Sequence, residues 1–108
     1  NGTVQTALAL IPAGAEVWGV TVKILTALGQ GNGLTGISIG DATLEDRWGN
    51  AVSPREGTET SRVDFNDGTH PTYTVASNVL ITAEGGTFNG AGVLEVTVHY
   101  DLLSHVGL

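Results

Sequence analysis

The sequence predicts an all-β protein: a compact antiparallel β-sandwich, jelly-roll-like, with little or no helix. Two observations carry this expectation. Apolar and polar residues alternate with period two through the long segments, while no stretch keeps an i, i+3, i+4, i+7 apolar pattern for three turns. Glycine supplies 16 of the 108 residues and recurs along the whole length, cutting the chain into runs of strand size. Short alternating runs separated by turn signals are the pattern of a sandwich or barrel.

Strands are expected at about residues 3–10, 16–27, 34–40, 60–65, 72–76, 78–84 and 92–102. "IPAG" (11–14) reads as the turn after the first, because proline sets one φ and glycine supplies the permissive one. In the second strand the series Trp18, Val20, Val22, Ile24 alternates with Val17, Gly19, Thr21, Lys23, which places Trp18 in the core or at an interface. Apolar residues nevertheless occur on both faces of 17–28, and a strand apolar on both sides needs cover on both sides. "GQGNG" (29–33) is a turn, "ATLEDRW" (42–48) has room for one or two helical turns, and "NDGTHP" (66–71) is a turn cluster. "EGGTFNGAG" (84–92) reads as a glycine-rich hairpin loop joining the last two long strands. In the last strand Leu94, Val96, Val98, Tyr100 and Leu102 form the core side, and Glu95, Thr97, His99 and Asp101 the polar side. The length suits one domain spanning residues 1–108. Its start at "NGT", without Met, reads as a fragment cut from a longer protein.

Four basic residues against eleven acidic ones give a formal charge of −7. That charge repels phosphate backbones and anionic lipid, so nucleic acid is not an expected partner. No apolar run is long enough to span a bilayer, and membrane insertion is not expected. The absence of cysteine excludes disulfides and thiolate metal sites.

Chemistry-bearing groups are sparse. Asp64, Asn66 and Asp67 could offer oxygen ligands to a cation, with the His70 imidazole nearby in sequence, but the long calcium loop ending in a bidentate glutamate is missing and turn chemistry explains the same residues. His99 and Asp101 share a strand face as half a zinc site, without the remaining ligands. No serine sits in a glycine-flanked nucleophile elbow, and no carboxylate pair is singled out, so an enzyme is not expected and no cofactor is implied. The candidate binding set is Asp46, Arg47, Trp48 and Asn50, where an indole could stack on a sugar while its neighbours bond the hydroxyls. The competing reading packs Trp48 at the core edge with Asp46 and Arg47 solvated.

Three segments, "IPAGAEVWGVTVKILTAL" (11–28), "ISIGDATLEDRWGN" (37–50) and "ITAEGGTFNGAGVLEVTVHY" (81–100), resemble a β-sandwich domain at the C-terminal end of bacteriophage tail spike, tail fibre and head-fibre proteins. The resemblance implies that residues 1–108 are the C-terminal fragment of a longer fibrous virion protein that works outside the cell as a homotrimer. It also implies a role in fibre trimerisation and stability, with bacterial surface polysaccharide as a further partner. By position, Trp48-Gly49 and His99-Tyr100 match parts of that family that look architectural. The alternative expectation is a monomeric carbohydrate-binding module appended to a polysaccharide hydrolase.

Overall fold

Among the residues described in the computed structural model (4–29, 31–60 and 70–102), the chain forms strands and no helix. The strands are β1 (Val4–Ile11), β2 (Ala15–Thr26), β3 (Gly36–Gly40), β4 (Gly49–Val52), β5 (Thr72–Tyr73), β6 (Ser77–Glu84) and β7 (Val93–Leu102). They make two antiparallel sheets, ordered β1-β6-β3-β4 and β5-β2-β7. The sheets face each other as a β-sandwich. Val17, Val20, Val22 and Ile24 of β2 meet Ile37 and Ile39 of β3 and Val79 and Ile81 of β6, all buried. β-Branched residues dominate this list because they fit a pleated surface packed on one side.

The IPAG turn carries the chain from one sheet to the other. Gly14 has φ of 84°, and its amide donates to the Tyr73 carbonyl at 2.7 Å, which docks β5 beside the start of β2. Further along β2, residues 57–60 cover the same edge. Ile24 N–H donates to the Thr58 carbonyl, Gly57 N–H to the Ile24 carbonyl, and Thr60 N–H to the Val22 carbonyl. β2 is thus paired on both sides. Only Thr60 of the strand expected at 60–65 is described; residues 61–65 lie outside the described set.

The β2–β7 register explains which side chains are inside. The ladder runs from Ala15↔Leu102 to Thr26↔Val93, but β2 gains one residue between Val17 and Gly19 and another between Ile24 and Thr26. Each is a β-bulge, in which two residues oppose one and the in-out alternation changes phase. The core side of β2 therefore reads Ala15, Val17, then Val20, Val22, Ile24. The bulge residues Trp18 and Leu25 are exposed. This corrects the assignment of Trp18 to the series Val20, Val22, Ile24, because that series assumes an unbroken period of two.

Three other expectations are corrected. The 84–92 segment is not a hairpin, because β6 and β7 belong to different sheets. It crosses between them, with Phe88 buried at the sandwich end; the Asn89 amide donates to the Leu28 carbonyl, and the Asn32 side chain donates to the Phe88 carbonyl. The ATLEDRW segment is a loop rather than helical turns, organised by the Asp41 side chain. The short strand β4 has no counterpart among the expected strands: GNAV has neither alternation nor length, and its pairing with β3 is broken by a register shift.

Candidate functional site

The loop at 41–48 holds the sugar-binding candidates, and its geometry decides their fate. Asp41 is only 6% exposed. One carboxylate oxygen accepts from the Thr43 and Leu44 amides at 3.0 and 2.8 Å. The other accepts from Arg47 Nε at 2.9 Å and from the Tyr73 hydroxyl at 2.5 Å. Burial alone would raise the Asp41 carboxyl. The hydrogen bonds from Tyr73, Leu44 and Arg47, with the Arg47 charge, outweigh it and hold the group below its ordinary 3.8. This knot ties the loop to β5 and folds it over Gly40, where a Cβ would lie 2.2 Å from the Leu44 and Glu45 carbonyl oxygens.

The folded-back loop drives Trp48 inward. Its side chain is 0% exposed and the largest among the fully buried residues, tilted against Tyr73 at 6.5 Å between ring centroids. Its amide donates to the Ile39 carbonyl, while the indole Nε1 has no acceptor among the described residues. An indole with no surface cannot stack on a sugar. The set Asp46, Arg47, Trp48, Asn50 therefore loses its aromatic platform, and Arg47 is engaged by Asp41. Asn50 lies on exposed β4, where its side-chain oxygen accepts from Ser38 Oγ at 3.4 Å. A groove of about 290 Å³ beside the knot is lined by Asp41, Thr43, Tyr73, Ser77 and Asn78.

The aromatic surface lies instead on the outward face of β2–β7. The bulge at Trp18 turns its indole outward, 43% exposed, and Nε1 donates to Asp101 Oδ2 at 2.8 Å. The His70 ring stands 4.1 Å from the indole centroid, tilted by 41°. Glu16 lies directly opposite Asp101 across the ladder. Along the same face Thr21 Oγ1 meets His99 Nε2 at 3.2 Å, Thr21 opposes Thr97, and Lys23 opposes Glu95, its backbone forming a β-bridge with Glu59 on the other edge. The polar row Glu95, Thr97, His99, Asp101 is thus one face, as the alternation implies, but each member has its own partner across the ladder. His99 bonds Thr21 and Asp101 bonds Trp18, so the two do not converge as half a metal site. Among the described residues no group of three His, Cys, Asp or Glu side chains could hold a metal ion. Asp64, Asn66 and Asp67 lie outside the described residues.

β7 has a second property that residue chemistry does not reveal. It is the last strand of its sheet, so one backbone edge is unpaired among the described residues. Its core side is incompletely covered: Leu94, Val96 and Val98 are half-buried, and Tyr100 and Leu102, which continue that side, are exposed. The alternation places Tyr100 in the core, and the structure corrects this. Tyr100 sits opposite buried Val17 but beyond the cover of the facing sheet. β1, an edge strand of the facing sheet, also contacts β7, and its Val4 and Leu10 are exposed.

No family model matches the chain, and neither does any curated protein or solved structure.

Proposed function

We propose that this domain is a non-enzymatic assembly and adhesion module, the terminal domain of a phage tail spike or fibre, that works as a homo-oligomer. The observation that carries the reading is the open β7 side. A long strand whose backbone edge is unpaired among the described residues and whose apolar side is half-covered is a liability in a monomer. A neighbouring copy would satisfy the edge and cover Leu94, Val96, Val98 and Tyr100 together. The chain's charge of −7 keeps such a surface from associating indiscriminately. The resemblance to virion fibre domains gives the context. Light scattering on the purified domain tests the reading: an assembly of defined mass is expected, and a clean monomer at micromolar concentration and above overturns it.

One observation favours glycan contact as a second role, at a different tryptophan from the one the sequence suggests. Trp18 presents an indole already fixed by Asp101, beside His70 and Glu16, so a sugar ring could stack while the carboxylates accept from its hydroxyls. On an array of bacterial surface polysaccharides, Trp18→Ala should abolish binding while Asn50→Ala leaves it unchanged. Unaltered binding by Trp18→Ala removes this role.

A further inference from the structure

The edge of β7 that is unpaired among the described residues has a register of its own, and it points to a second copy of the same strand. Two antiparallel copies related by a two-fold axis pair residue i with residue 2k − i, where k is the residue at the axis. Only whole-number k keeps core-side residues beside core-side residues, because the side-chain period is two. Within Val93–Leu102 the longest overlaps come from axes at Thr97 and at Val98.

These two registers differ in charge. An axis at Val98 sets Glu95 against Asp101 twice, and like charges directly opposite are destabilising. An axis at Thr97 sets Glu95 against His99 twice, an acceptor against an imidazole. It also sets Leu94 against Tyr100 and Val96 against Val98 on the core side, with Thr97 facing itself on the outward face. We infer that two copies of this chain pair edge to edge through β7, antiparallel, with the two-fold axis at Thr97 and reciprocal Glu95–His99 contacts. The result is one continuous sheet, β5-β2-β7 followed by its two-fold mate.

Competing edges are less suited to the role. β1 is broken by a register shift between Ala7 and Ile11, with Ala9 at a φ of 52° and its amide taken by the Asn78 side chain. β4 is short and carries Ala51 at a φ of 54°. β7 has no positive-φ residue and no proline, and the extra residues in its ladder belong to β2.

The inference rests on the self-assembly reading, and one experiment separates the two. The chain has no cysteine, so Thr97→Cys introduces a lone thiol at the axis. Directly opposed strand residues have Cβ atoms roughly 4.5–5.5 Å apart, close to disulfide span. In this register the two Val93 positions are about 27 Å apart, from eight steps of about 3.4 Å. Under mild oxidation Thr97→Cys should convert nearly completely to a disulfide-linked pair, Val93→Cys should stay unlinked, and the parent should scatter with twice the 11.1 kDa chain mass. A larger assembly in which the Thr97→Cys protein stays unlinked, or equal linking through both positions, overturns this pairing and leaves self-assembly standing. A monomeric parent overturns both. If Thr97→Cys does not fold, mixing Glu95→Cys with His99→Cys decides: the mixture should give the mixed disulfide, each protein alone should not, and an unlinked mixture refutes the register.

Discussion

Trp48→Ala should cost the domain more stability than Trp18→Ala, although sequence alternation places Trp18 in the core or at an interface and leaves Trp48 between a binding loop and the core edge. The structure gives the magnitudes. Trp48 is fully buried, and a tryptophan buries up to about 250 Å². At about 25 cal/mol per Å² this is about 6 kcal/mol, an upper value because the unfolded chain already hides part of it. Truncation series put such a loss at about 3–5 kcal/mol. The unpartnered Nε1 pulls the figure toward the lower end, since removing it also removes the cost of a desolvated donor. Trp18 is 43% exposed, so scaling the same truncation range to its buried part, with only about 0.5 kcal/mol added for its solvent-exposed bond to Asp101, gives about 2–3 kcal/mol. Small domains hold about 5–15 kcal/mol in total. With a urea slope of about 1.5 kcal/mol/M, Trp48→Ala should lower the unfolding midpoint by about 2–3 M and Trp18→Ala by about 1.5–2 M. Each variant keeps one indole as its fluorescent reporter, buried in Trp18→Ala and solvent-facing in Trp48→Ala. Equal midpoints, or a larger loss from Trp18→Ala, would refute the assignment of the two indoles.

The Asp41 knot predicts an acid-sensitive loop. Its native carboxyl is held low, so its stabilising contribution is complete above the unfolded value near 3.8 and is lost as pH falls through the lowered native value. Tyr73→Phe removes one donor, should cost about 1.5–3 kcal/mol at neutral pH, and should flatten the acid limb of a melting-temperature profile; an unchanged acid limb would show that the hydroxyl does not hold the charge. Gly40→Ala forces a Cβ onto two backbone carbonyls that cannot rotate away, so a loss of at least about 3 kcal/mol in thermal or urea unfolding is expected, and a loss under about 1 kcal/mol would mean the loop does not close over β3. Deleting Trp18 leaves Val17 followed by Gly19, already opposite Tyr100 and His99, so that variant should fold with its strand circular-dichroism signal retained. Deleting Val22 reverses the side-chain phase of half the strand and should abolish the fold; if both deletions behave alike, the bulge is not where the register places it.

How much of the fold and the site is legible in the chain follows from what periodicity can report. The alternation in 93–102 locates β7 and its polar row, and that in 16–27 locates β2, because each depends only on neighbours two residues apart. It cannot report phase across a bulge. Trp18 and Leu25 look like ordinary members of an apolar series, and only the partner strand shows that each is one residue too many. The sequence leaves Trp48 between packing and binding for a different reason. Its neighbours Glu45, Asp46, Arg47 and Asn50 are those of a solvated loop, and what buries the indole is the Asp41–Tyr73 contact from a strand 32 residues away in sequence. The hairpin expected at 84–92 fails because turn glycines mark a change of direction without saying to which sheet the chain returns.

The placement of the bulges bears on assembly as well as on packing. Proteins commonly blunt exposed strand edges by bulging the edge strand itself, which twists its free donors and acceptors out of line. Here the sheet does the reverse. Both extra residues sit on β2, the inner strand, whose other edge is held by β5 and by residues 57–60. The twist they add is absorbed where both edges are already satisfied. β7 keeps an unbroken alternation with its outer edge unpaired among the described residues, and charge order along it decides between the two longest self-pairings. A strand kept regular at the rim, beside an inner strand that takes the irregularity, is the arrangement expected when the rim has a partner to meet. The same bulge turns Trp18 outward next to Asp101, which is itself on β7. Any ligand seated on that indole would therefore lie within reach of the edge where a second copy joins, and its affinity should depend on protein concentration through the range where the domain assembles.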